Sequence, residues 1–275
     1  MRKFIFFTVS LSVFCFFVSN LTAASNRLDM YTRKDSIPPR LMSQLISEGK
    51  SALPEVISAL EIIDWRVWYG NIARAGDEMG FSLYEVLRSI AERHSDARAE
   101  LIESLYTSNY NTRLPIVLAL SAAHAPGNEK RVRDLSIIPV LEPVMNDSET
   151  EIRELALNVL CYLEAKEAIP LLTRVVRTEK VTRLKLYAAQ ALAKLNVKEG
   201  FDTILFYLKD ADPFIRRTAA IQLADIKTKQ SKETLENALR IEKDPTVIAA
   251  LVRAIREHTG ETDHQVRKRF FGRPY

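Results

Sequence analysis

From Leu41 onward the apolar positions of this chain fall at helical spacing. Leu41, Leu45 and Ile46 share one face, and Leu53-Pro54 opens a new helix with Val56, Ile57 and Leu60 inward. Between Ile138 and about Thr259 the pattern recurs roughly every thirty-one or thirty-two residues, the period of a stacked helical array. Ile138-Pro139-Val140-Leu141 returns as Ile169-Pro170-Leu171-Leu172 and, more loosely, as Phe201-Asp202-Thr203-Ile204. Each opens a short amphipathic helix, and each is followed by a partner beginning Ile152-Arg153, Leu184-Lys185 or Ile215-Arg216. Ala156, Ala188 and Ala219 then allow close helix approach, and Leu160/Leu163, Leu192/Leu195 and Leu223/Ile226 close each partner. One helix pair buries a single stripe on each side, so only stacking makes a continuous core. The pattern predicts an all-α fold, a right-handed α-solenoid of stacked antiparallel helix pairs.

The organisation along the chain follows from breaks in this pattern. Residues 25–40 are polar and contain Pro38-Pro39, and they predict a linker. Residues 41–125 read as degenerate helical repeats. Pro54 to Trp68 spans the same interval as Pro139 to Arg153 and Asp202 to Arg216. Three stripes between Phe81 and Ala123 give an odd number of helices, with Arg98 and Arg113 each a candidate start of a worn second helix. Ala125-Pro126-Gly127-Asn128 marks a break, and the regular array occupies 126–260. Ile248 stands where the period calls for the cation of Arg216, as in a terminal, capping repeat. Residues 261–275 form a basic, aromatic tail.

The first residues carry a targeting signal more than a structural one. Arg2-Lys3 followed by an apolar run from Phe4 to Val18 has the layout of a secretory signal peptide over 1–24, with cleavage expected after Ala23 or Ala24. Its removal takes Cys15 with it, so Cys161 alone would remain, an inert thiol among apolar neighbours. A signal without a disulfide framework points to export into a bacterial periplasm. Of 39 Lys and Arg against 35 Asp and Glu, losing Arg2 and Lys3 leaves 37 against 35, and the tail holds that excess. The basic balance therefore does not coat the array, and a nucleic-acid partner is not expected.

These residues resemble HEAT repeats, in length most like the short HEAT-like type named after phycobilisome lyases. The resemblance rests on Ala168-Ile169-Pro170-Leu171-Leu172, the acidic turn Lys209-Asp210-Ala211-Asp212-Pro213, the Ile-Arg or Leu-Lys pair and the Ala-x-x-x-Leu after it. It covers about 138–260 strongly, 50–80 fairly and 81–125 weakly. It implies a superhelix with its second helices on the concave face, and a role in binding protein. It also implies a ladder of turn aspartate and second-helix arginine, with Asp147 and Arg153, and Asp210 or Asp212 and Arg216, as the candidates.

Catalytic relatives of this repeat class place demands that the chain does not meet. Bilin lyases act on a cytosolic antenna, which export argues against; iron hydroxylases use His-Glu pairs, and no His-Glu dipeptide occurs here. HEAT-like DNA glycosylases need a basic concave face. No H-E-x-x-H, G-x-S-x-G or phosphate-cradling glycine loop is present. No catalytic residue, cofactor or metal site is therefore assigned. The alternative is a metal-dependent or accessory enzyme built on Glu257–His264, which places His258 and His264 near three carboxylates.

The remaining expectation is a protein-binding scaffold or adaptor. On the second helices one outward row comprises Glu154, Asn158 and Tyr162, then Leu186, Gln190 and Lys194, then Arg217, Ile221 and Asp225. Its mixed signs and apolar members suit a protein partner. Secondary candidates are the aromatics Trp65, Trp68 and Tyr69, which either stack a ligand or close the end of a core. In the tail, Arg267, Lys268, Arg269, Phe270 and Phe271 suit an anionic membrane surface, a groove on another protein, or a solvated terminus.

Overall fold

A computed structural model describes residues 27–31, 35–65, 78–107, 109–124 and 132–272. The expected signal peptide, Trp68, Tyr69 and the break at Ala125–Asn128 lie outside the described residues. All regular structure among the described residues is helical, and the chain divides into two compact units, residues 1–97 and 98–275. The division between them falls at residue 97, within the stretch 41–125 that the sequence groups together.

In the first unit, α1 (Pro39–Glu48) runs through a 3-10 turn (Gly49–Ala52) into α2 (Leu53–Leu60), and both pack on α3 (Glu78–Arg93). Pro39 and Pro54 sit in the first turns of α1 and α2, where a missing N–H costs nothing. The expected linker is instead part of this unit. Leu28 and Ile37 are fully buried, and the Ile37 amide donates to Ser82 Oγ at 3.1 Å. Arg27 donates to Glu48 and Glu55 at 2.7 Å each, tying the segment to both helices. Sequence polarity concealed this, because three spaced residues do the anchoring.

Gly49 adopts φ +56°, and the His94 ring lies where a side chain would project, with a Cβ there only 2.5 Å from Nδ1. His94 Nε2 is 2.8 Å from the Ile46 carbonyl, so the imidazole seats the turn on the end of α3.

The second unit is an α-solenoid. After α4 (Ser95–Thr107) and α5 (Tyr110–His124) come four antiparallel pairs: α6 (Ile137–Val144) with α7 (Thr150–Leu163), α8 (Ile169–Thr178) with α9 (Thr182–Lys194), α10 (Lys198–Tyr207) with α11 (Pro213–Ala224), and α12 (Lys229–Ile241) with α13 (Pro245–Thr259). The second helices α5, α7, α9, α11 and α13 stack in sequence. This settles the odd count of helices: α3 belongs to the first unit, while α5 heads the second-helix stack.

Local chemistry sets the helix ends. Asp212 and Asp244 cap α11 and α13, accepting from Phe214 N and from Thr246 N and Val247 N, each just before a proline. Thr228 and Ser231 form a capping box at α12. Gly200 lets α10 press onto α9: a Cβ there would lie 2.4 Å from the Ala189 carbonyl oxygen.

The expected tail is a helix. α14 (Asp263–Phe271) opens with a Thr262–Gln265 capping box and packs on α13, with Val266 fully buried. Arg269 pairs with Glu236 and Glu261, and the Arg240 guanidinium lies 5.0 Å from the Phe270 ring centre. Aromatics and cations that looked free in sequence here close the end of the array, where Ile248 replaces the ladder cation.

Candidate functional site

The arginine that opens a second helix reaches forward to the next repeat. It is the fourth residue of its helix in α5, α7 and α11. Arg113 pairs with Asp147 at 2.9 Å, Arg153 with Glu179 at 2.9 Å and Arg216 with Glu242 at 2.8 Å. Arg153 also donates to the carbonyls of Asp147 and Ser148, and Arg216 to those of Asp210 and Ala211. Glu179 accepts from the Lys180 and Val181 amides, and Glu242 from those of Lys243 and Asp244. Arg153 and Arg216 thus bind their own turn through backbone oxygens and the following turn through a carboxylate.

This corrects the expected rungs. Arg153 meets Asp147 only at its carbonyl, because the Asp147 carboxylate is taken by Arg113. Asp212 caps α11, and Asp210 accepts from the Asp212 amide, so neither carboxylate holds Arg216. Among the described residues no ion pair joins Lys185, which replaces the arginine, to the following turn. Burial pushes Glu179 up, but Arg153 and the two amides outweigh it and leave the carboxyl below its ordinary range. Arg216 does the same to Glu242 directly.

The second-helix row divides into three parts. Glu154 is bonded to Arg183, whose guanidinium also lies 5.6 Å from the Tyr187 ring centre. Asn158 and Tyr162 are half-buried near by, and burial raises the Tyr162 hydroxyl pKa. Leu186 is fully buried, a correction: α9 has α7 on one side and α11 on the other, so an apolar side chain at this position is enclosed. Gln190 donates to the Gln222 carbonyl at 3.3 Å and to Asp225 at 2.8 Å, and Lys194 lies 4.0 Å from Asp225. These polar members therefore link α9 to α11.

Further along the row the surface opens. Arg217 and Ile221 of α11, with Thr246, Ala249, Ala250 and Arg253 of α13, line a groove of about 490 Å³. Ile221 is 44% exposed, and among the described residues Arg217 has no ion pair. Arg253 is anchored at 3.0 Å to Glu257. The signal for this groove in sequence was Ile221 on an otherwise polar helix face; Arg253, Ala249 and Ala250 were missed because they lie on another helix.

Residues 182–256, from the start of α9 through most of α13, match a family described as HEAT repeats. This part of the array is made of HEAT repeats. The Arg216–Glu242 rung and the Arg217–Ile221 groove both lie within these repeats, and the two earlier rungs precede them. No curated protein matches the chain in sequence. Among solved structures the chain is similar to the complex of CpcE and CpcF of phycocyanin lyase from Nostoc sp., at 18% identity and a TM-score of 0.43, over 88% of this chain and 91% of that one.

The other candidates are placed outside any common site. Trp65 is fully buried with its indole N–H donating to the Leu60 carbonyl at 2.8 Å, so it closes a core and offers no stacking face. In the Glu257–His264 segment each carboxylate already serves an arginine: Glu257 holds Arg253, Glu261 holds Arg269 and Asp263 holds Arg256. His258 is half-buried while His264 is exposed, and among the described residues no group of three metal-ligating side chains converges. Burial and nearby Lys227 lower the His258 pKa. Arg267, Phe270 and Phe271 are half-buried, while Lys268 and Arg269 are exposed, Arg269 being paired with Glu236 and Glu261. The Cys161 thiol, pushed up to about 12 by burial, is 3.8 Å from the Tyr187 carbonyl.

Proposed function

We propose that this protein is a non-catalytic scaffold of the bacterial cell envelope that holds a protein partner on the second-helix face of its array. The observation that carries this reading is Ile221, an exposed aliphatic side chain in a groove between Arg217 and Arg253. A partner side chain packed on Ile221 would exclude water from apolar surface, while carboxylates beside it would meet the exposed guanidinium of Arg217. Export rests on the apolar run Phe4–Val18 behind Arg2-Lys3.

The test is chemical crosslinking in the native cells, comparing the wild type with Arg217→Glu/Ile221→Asp. A discrete partner should be captured by the wild type and lost from the double variant, with helicity and melting temperature unchanged. A partner retained by the variant, or no partner at all, would remove the second-helix face from consideration. Fractionation of the same cells checks the compartment: the mature protein should partition with the periplasm, and recovery in the cytoplasm would refute export.

A further inference from the structure

A second groove lies on the other side of the array, between the first helices α10 and α12, with a volume of about 650 Å³. It has a counterpart between α6 and α8, of about 510 Å³. The two correspond at a constant interval of 63 positions: Arg153 and Glu179 of one become Arg216 and Glu242 of the other. The same ladder rung therefore forms one wall of both, and the differences between them are differences of side chain within one backbone plan.

Those differences open the downstream groove. In the upstream one, Glu142 of α6 pairs with Arg174 of α8 at 2.5 Å and bridges the two first helices. Their counterparts are Leu205 and Asn237, which have no such bridge. Val175 is replaced by the smaller Ala238, and Thr178 by Ile241, which is 77% exposed. Asn146 is replaced by Lys209, while Lys180 keeps a cation as Lys243. Of the lining charges, Glu242 is neutralised by Arg216, and Asp210, which accepts from the Asp212 amide, keeps its charge and offsets one of the two lysines. Lys209 and Lys243 are exposed and, among the described residues, without an ion pair. Although Thr234 replaces Leu171, a charge-balanced, bridged groove has become a more apolar one with a net positive rim.

We infer that the α10–α12 groove is a second docking site, distinct from the Arg217–Ile221 face, for a protein segment carrying a large apolar side chain flanked by carboxylates. Its volume suits one or two such side chains. The apolar residue would lie over Leu205, Ala238 and Ile241, and the carboxylates would meet Lys209 and Lys243. Because both lysines are solvent-exposed, they steer and select by charge, whereas apolar burial holds the segment.

The upstream groove supplies its own control. Leu205→Glu/Asn237→Arg would rebuild the Glu142–Arg174 bridge at the equivalent positions, closing the site with a pair the fold already accommodates. Peptide-phage display on the purified protein, followed by titration of the enriched synthetic peptides, tests the assignment. Enriched peptides should carry a large apolar residue beside Asp or Glu, and should bind about tenfold more weakly to the bridged variant and to Lys209→Glu/Lys243→Glu. Binding to Arg217→Glu/Ile221→Asp should stay within about twofold of wild type, and all three variants should melt like the parent. No enrichment, or enriched peptides that bind the bridged variant as tightly as wild type, would overturn the proposal. Peptides lost only from Arg217→Glu/Ile221→Asp would do so too, while leaving the second-helix reading standing.

Discussion

At the scale of the residue, the array depends on single positions where one atom more or less changes the packing. Gly200 is the sharpest case, since a Cβ would meet the Ala189 carbonyl oxygen at 2.4 Å and Leu192 Cβ at 2.6 Å. These are core and backbone atoms, so they yield only if α10 lifts from α9. Gly200→Ala is expected to destabilise the protein by about 1–3 kcal/mol despite the better helix propensity of alanine, measured by urea unfolding. A neutral or stabilising effect would mean that the two helices are less closely packed. Residue chemistry of this kind is only partly legible in sequence: Gly200 stands in the first turn of α10 with nothing to distinguish it from a tolerated glycine. Leu186 was misplaced for a related reason, because an outward position on an isolated helix becomes interior once neighbours flank it on both sides.

At the scale of the element, the ladder decides how one repeat is held to the next. Arg153 and Glu179 are 13% and 6% exposed, and Arg153 makes further bonds to two carbonyls. Arg153→Ala should cost about 1–3 kcal/mol, mostly by leaving the Glu179 carboxylate without its cation. Lys185→Ala, at the position with no rung, should cost much less; equal losses at both positions would deny the ladder a role.

The same rungs set a pH dependence. Glu179 and Glu242 both have folded-state pKa values below their unfolded ones, so unfolded chains take up more protons over that interval. Their contribution is complete above the ordinary glutamate pKa of about 4.3 and is lost as pH falls through the folded values. Melting temperature should therefore drop on acidification below that point, and the drop should shrink in Arg153→Ala/Arg216→Ala. A drop unchanged in that variant would assign the acid sensitivity to other carboxylates.

At the scale of the whole molecule, an array of repeats must end, and α14 performs that task for the second unit. Val266 is fully buried, Phe270 lies under Arg240, and Arg269 reaches Glu236 on α12 and Glu261 ahead of α14. Removing residues 263–275 would leave the outer side of α13 wet. Such a truncation is expected to speed amide hydrogen exchange first in α12 and α13, while α7 and α8 keep their protection. Uniform exchange throughout, or no change, would show that α14 is not a cap.

What the sequence determined by itself was the repeating architecture of the second unit. Its helical period, its small residues at close approaches and its Pro signals at helix starts are local properties, readable wherever near neighbours in the chain are also neighbours in space. The tertiary structure decided everything that required distant residues to meet. It placed Arg113 on Asp147 and Arg216 on Glu242, folded the polar segment after residue 27 onto the first unit through Leu28 and Ile37, and turned the basic tail into a cap. It also brought Leu205 and Asn237 to the places that Glu142 and Arg174 hold two repeats earlier, opening a groove between helices. The period of a repeat is written in one strand of sequence, but a surface belongs to two or more helices, and its chemistry exists only once they are packed together.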